Sequence, residues 1–281
     1  MKKSISYWSF KGGLEDAAPL AKCFKEARAN GFQAVEPALG GAGQLTPATT
    51  KKECAAIAAD AKRAGVEMAS LATGLFWGKS LTAGDAGVRE EAVDIGRALV
   101  EKAAWLGLGA VLVVPGAVDV FFLPDAERVP YDVCYERAQK SIRKLVPAAT
   151  RHRVRIGIEN VWNKFLLSPL EMRDFIDSFG TRYVGAYFDA GNVMLTGFPQ
   201  HWIKILGKRL VRVHVKDFKT SVGTGAGFCD LLEGDVPWKE TMRALKAVGY
   251  KSYVTAEMIP WKKGLIAKTS KAMNRILSYA K

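Results

Sequence analysis

The chain has 281 residues, of which 49% are apolar, 10% aromatic and 25% charged, the profile of a soluble globular protein with a large core. Its four cysteines, Cys23, Cys54, Cys134 and Cys229, form no CxxC pair, which argues against a zinc ribbon or disulfide framework and for a reducing compartment. A net charge of +13 raises the question of nucleic acid, but nearly half the excess lies in the tail "WKKGLIAKTSKAMNRILSYAK" (261–281), with six Lys or Arg and no acid, the pattern of a solvated helix face.

The N-terminal "MKKSISYWSF" has no apolar run long enough for a signal peptide, so a cytoplasmic location is expected, with prior removal of a targeting segment as the alternative. "SISYWSF" reads as a first strand near 4–10. Beyond it, Ala-rich amphipathic segments repeatedly end at a glycine, which suits the left-handed residue closing a helix. A β-branched or aromatic run follows each one. "EARANGFQAVEP" gives strand two near 33–37, "AKRAGVEMASLATG" strand three near 66–72, and "AAWLGLGAVLVVPG" strand four near 109–114. A helix is expected over 131–151, followed by strand five near 154–159 in "RVRIGIEN". Strands six, seven and eight fall near 183–189, 210–216 and 252–257, and a basic helix at 261–281 closes the chain. The most apolar stretch, 104–118, is too short and too broken by Gly and Pro to span a bilayer. The glycines of "GGAGQ" (40–44) lack the spacing of a dinucleotide loop, which disfavours a doubly wound sheet. Eight βα units in one chain predict an α/β fold, a (β/α)8 TIM barrel occupying 1–281 as a single domain.

Catalytic groups of such barrels stand at the C-terminal ends of strands. Glu159 ends strand five, Asp189 ends strand six, His214 lies late in strand seven and Glu257 ends strand eight. In "LVRVHVKDFK" (210–219) the valines alternate with Arg212, His214 and Lys216, so these three share a face, and parity points it into the barrel. Three carboxylates gathered in a buried site repel one another and lose hydration unless a cation neutralises them. The four residues are therefore candidate ligands of one divalent metal. One nitrogen among oxygens suits Mn2+ foremost, then Co2+ or Mg2+, with Zn2+ as a further alternative.

This series, with "GIENVWNKFLLSPLEM", "AYFDAGN", "VHVKDFK" and "LLEGDVPW", resembles the xylose-isomerase-like sugar isomerases and epimerases. Within them it is most similar to the ketose 3-epimerase branch, the hexulose-6-phosphate isomerase and L-xylulose or L-ribulose 5-phosphate 3-epimerase group. The resemblance implies a divalent metal on Glu159, Asp189, His214 and Glu257, with Glu159 and Glu257 doubling as proton-transfer groups. Tagatose-type epimerases have a histidine three residues after the aspartate, where this chain has Asn192, and an arginine in the loop after strand seven, where 220–230 has none.

Epimerising a carbon beside a ketone requires removing a weakly acidic C–H proton and returning one on the opposite face. A metal that stabilises the enediolate, with two carboxylates as base and acid, meets that need. Trp162 and Lys164 follow the strand-five ligand and are expected to border the substrate, with Asn192. Glu36, ending strand two, and Trp8, in strand one, are candidate sugar contacts; Lys216 and Lys219 are candidate phosphate contacts, and loop 220–227 a candidate anion cradle. The expected partner is a small sugar or sugar phosphate, with no nucleic acid and no membrane, in a chain that could form a homo-oligomer, dimer or tetramer. A 1,2-aldose–ketose isomerase and an inosose-dehydratase-type lyase are the alternatives on the same site. A DNA-repair endonuclease of this barrel type would need more histidines than His152, His201 and His214.

Overall fold

The computed structural model describes residues 1–280. Eight parallel strands form one sheet: β1 (Lys2–Ser6), β2 (Ala34–Glu36), β3 (Glu67–Met68), β4 (Ala110–Val113), β5 (Arg155–Glu159), β6 (Val184–Asp189), β7 (Leu210–Val215) and β8 (Tyr253–Ala256). The hydrogen-bonded order runs from β3 through β2 and β1 to β8, then back through β7, β6 and β5 to β4. The two ends of this series meet at a single bridge between Leu71 and Val111. There the Leu71 N–H donates to Ala110 O at 3.1 Å and the Leu112 N–H to Leu71 O at 2.9 Å, closing the barrel. At least one helix precedes every strand after the first, and a last helix, Leu265–Ser278, completes the TIM barrel.

Local chemistry sets these elements. The helix Lys51–Ala64 starts at Thr50, whose hydroxyl accepts from the Glu53 N–H while the Glu53 carboxylate accepts from the Thr50 N–H. Such a capping box contributes about 1 kcal/mol. Cys54, Ile57 and Ala61 form its buried stripe, and it stops at Gly65, whose φ of 69° an L side chain rarely adopts.

Three expectations need adjusting. The strand expected over 4–10 ends at Ser6, whose hydroxyl accepts from the Trp8 N–H and turns the chain into a short 3-10 segment, Tyr7–Ser9. The helix expected over 131–151 is two, Tyr131–Arg143 and Val146–His152. Pro147 has no N–H to donate to Arg143 O, and the first helix ends there. The closing helix begins after Gly264 rather than at 261, and Lys281 lies outside the described residues. Among the described residues, no helix is long and apolar enough to cross a membrane.

The barrel lumen is polar. The His214 and Tyr187 side chains reach Glu36 on β2, and Arg212 Nε donates to Ala69 O at 2.8 Å beyond β3. Neither β6 nor β7 neighbours β2 or β3 in the sheet, so these contacts cross the interior. The alternate residues Val211, Val213 and Val215 are buried on the opposite face, against the helical layer.

Candidate active site

Glu159, Asp189, His214 and Glu257 converge at the C-terminal mouth of the barrel. Asp189 is in register with His214, and His214 with Thr255, two residues before Glu257, so the ladders of β6, β7 and β8 set three of the four side by side. One donor atom from each of the four residues lies within 4.8 Å of all the others, and all four residues are buried. The loop after β5 clamps this end of the sheet. Asn160 Nδ2 donates to Asp189 O at 2.8 Å, and Asn160 Oδ1 accepts from the Asp189 N–H at 2.9 Å.

His214 is held from behind. Its Nε2 lies 2.6 Å from Glu36 Oε2, while Glu36 Oε1 accepts from the hydroxyls of Ser70, at 2.8 Å, and Tyr187. With Nε2–H committed to Glu36, Nδ1 is the nitrogen that faces the cluster, 3.5 Å from Glu257 and 3.7 Å from Glu159. Burial acts to lower the His214 pKa, but the Glu36 charge, with Glu159 and Glu257, holds it well above the ordinary histidine value. The interior must make room for Tyr187. A Cβ on Gly157 would come within 2.9 Å of the Tyr187 ring and 3.1 Å of Val111 O.

Lys216 Nζ stands over the cluster, 3.3 Å from Asp189 Oδ2 and 2.5 Å from Glu257 Oε2. Burial works against its charge, but Asp189, Glu257 and Glu159 raise its pKa above the ordinary lysine value. The two glutamates differ accordingly. Burial raises the Glu159 carboxyl, with the Glu257 charge adding to the effect. Burial would raise Glu257 too, but the Lys216 ammonium and then His214 outweigh it and hold Glu257 ionised. Asp189 is raised by burial, against the pull of Lys216.

The residues fit a divalent cation. Asp189 Oδ1 accepts from the Asn192 N–H at 2.9 Å, but Asp189 Oδ2, His214 Nδ1 and Glu257 Oε2 are buried without an aligned hydrogen-bond donor. Lys216 forms ion pairs with two of them, which offsets part of their charge and leaves His214 Nδ1 without an aligned partner. With an ion in place of the proton on His214, three carboxylates against one ammonium would leave two negative charges, the complement of a divalent ion.

A cavity of about 710 Å3 opens above this cluster. Trp8, Trp162, Asn192 and Lys216 line it. Glu36 does not: it is fully buried beneath His214 and bonded to its Nε2 rather than open to the cavity. Lys164 is also displaced, bonded to Asp119 at 2.7 Å beside a smaller neighbouring cavity. Lys216 and Lys219 do not form a phosphate site, since Lys216 is engaged by Asp189 and Glu257 and Lys219 is exposed away from the cavity wall. The loop after β7 is not an open cradle. It folds back as Asp217–Phe218 against Phe228–Cys229, pinned by the buried Asp217, whose carboxylate accepts from Leu232 N at 2.8 Å and Trp238 Nε1 at 3.0 Å. Ser70, Tyr187 and Asp217 escaped sequence reasoning; "KDF" followed by "GDVPW" was the one available signal for Asp217.

Comparison with known proteins places this architecture. The D-psicose 3-epimerase of Clostridium cellulolyticum H10, solved with D-tagatose, superposes with a TM-score of 0.80 over 100% of both chains at 16% identity. The IolI protein, solved with a bound zinc atom, gives 0.78 over 100% of this chain and 99% of its own at 14% identity. In sequence, an uncharacterized protein of Methanocaldococcus jannaschii is 23% identical over 176 residues, covering 60% of this chain and 57% of that relative's length. At these identities the superpositions speak for the barrel alone. The sequence profile of one family matches residues 24–275, from the first helix into the last and across all four clustered residues, and on that match the chain belongs to the xylose isomerase-like TIM barrel family.

Proposed function

We propose that this protein is a divalent-metal-dependent sugar epimerase that moves a proton at the carbon beside a ketone, C3 of a ketose. The observation that carries the reading is the convergence of Glu159, Asp189, His214 and Glu257 within 4.8 Å, with three buried polar atoms lacking aligned hydrogen-bond partners. These four would hold one ion, Mn2+ foremost, whose chemistry is to polarise the sugar carbonyl and offset negative charge developing on its oxygen.

The chain's own groups do the rest. Glu159 and Glu257 reach the site from β5 and β8, on either side of Asp189 and His214, and each can take or return a proton on one face of the carbon. Lys216 bears on Asp189 and Glu257 and lowers the cost of gathering so much negative charge. Glu36, Ser70 and Tyr187 fix the ring of His214.

Incubating Mn2+-loaded protein with a panel of ketoses in D2O tests the reading. The expected result is deuterium at C3 with inversion there. Deuterium at C1 assigns an aldose–ketose isomerase, and loss of water from the product assigns a lyase. No exchange with Mn2+, Co2+, Mg2+ or Zn2+ on any ketose overturns it.

A further inference from the structure

We propose that the sugar acted on is uncharged and extended: its keto-sugar unit sits over the buried cluster while a second, glycosyl ring lies against an aromatic wall at the barrel mouth. The inference rests on the epimerase reading and adds the substrate class.

Size is the first argument. At about 710 Å3 the cavity falls in the range of roughly 300–1,000 Å3 that encloses ligands of two or three rings. One ketose would leave much of it unfilled.

Charge is the second. The lining carries four carboxylates, Glu159, Glu257, Asp230 and Glu233, against two ammoniums, Lys216 and Lys262, and no arginine. Neither lysine is free for an anion. Lys216 is committed to Asp189 and Glu257, and Lys262 lies 2.8 Å from Asp230. Lys268 likewise pairs with Asp230 and Glu233, so a terminal phosphate at the rim would find no unpaired lysine or arginine in the cavity lining.

The wall itself is the third. Trp77, Phe122, Phe121, Trp162 and Phe228 run in one chain, edge to face as far as Trp162 and tilted at Phe228, with successive ring centroids 5.0 to 5.5 Å apart. Phe121 and Phe122 remain 55% and 46% exposed. Ile259, 45% exposed, and Pro260 line the same cavity. Contiguous exposed rings mark a recognition surface. The apolar C–H face of a pyranose suits such rings, and the rim carboxylates Asp230 and Glu233, though paired with Lys262 and Lys268, keep lone pairs that can accept from its hydroxyls.

Fructose, fructose 6-phosphate and isomaltulose test this cleanly, because they differ only in what O6 carries: hydrogen, phosphate or a glucosyl ring. Binding to Mn2+-loaded protein is read by calorimetry, and C3 exchange in D2O is read in parallel. Isomaltulose is expected to bind at least tenfold tighter than fructose, and fructose 6-phosphate more weakly than fructose. Trp77→Ala and Phe122→Ala are each expected to cut the isomaltulose advantage at least threefold. Tightest binding of the phosphate, equal binding of fructose and isomaltulose, or no binding of any of the three overturns the proposal. Tight isomaltulose binding without deuterium at any carbon upholds the substrate class and overturns the epimerase reading instead.

Discussion

Glu36 and His214 meet across the lumen at 2.6 Å, from strands separated in the sheet by β1 and β8. The pair decides which imidazole nitrogen is left for the cluster, so a residue of strand two governs a site built from strands five to eight.

Glu36→Gln keeps the side chain's size but weakens its hold on Nε2–H. Loss of a group that orients a metal ligand lowers metal affinity about 10- to 100-fold. Calorimetric titration with Mn2+ measures the loss, with circular dichroism checking the fold. Unchanged affinity would refute the supporting role.

His214→Ala is expected to weaken metal binding far more than His201→Ala, because His201 lies on the helix Pro199–Leu206, exposed and packed near Phe198. Equilibrium dialysis of both variants against Mn2+ makes the comparison. Equal effects would remove His214 from the ligand set.

For Glu159→Gln and Glu257→Gln, the expected loss in kcat is at least ~100-fold at saturating metal, the lower end for a positioned acid or base. Persistence of the loss once elemental analysis shows full occupancy separates proton transfer from ligation. Near-normal epimerisation by metal-replete Glu257→Gln ends the two-glutamate mechanism.

Gly157→Ala is predicted to destabilise the fold by about 1–3 kcal/mol, the usual cost of overpacking a close-packed interior. The added Cβ would press on Tyr187, buried and bonded to Glu36, and on the backbone of Val111, and neither can withdraw. Urea unfolding of the metal-free protein reads the effect. An unchanged midpoint would mean that the lumen has slack at this level.

What the sequence disclosed follows from geometry that needs only local information. Strand parity and the rule that chemistry sits at strand C-terminal ends are enough to nominate Asp189 and His214 without knowing what they face. Glu36 ends a strand by the same rule, yet its strand has only three residues and its carboxylate stops one layer lower. Depth along the barrel axis depends on stagger between strands, which no single strand encodes. Lys216 has the right parity for the site, but its capture by Asp189 and Glu257 is a fact of three dimensions. Ser70 and Tyr187 look like ordinary strand residues until the lumen brings them to Glu36.

The ring of strands is unevenly fastened. Ladders of three or four registered pairs join β5 to β6, β6 to β7 and β7 to β8, whereas Leu71 and Val111 alone join β3 to β4. The barrel thus behaves as a wrapped sheet with a seam, and its least protected amides against deuterium exchange should flank that seam. The four clustered residues lie on the opposite, continuous arc, which can stay folded while the seam breathes. A circularly permuted chain opened between β3 and β4 would sever no ladder, and new termini there should leave the half that carries the chemistry intact.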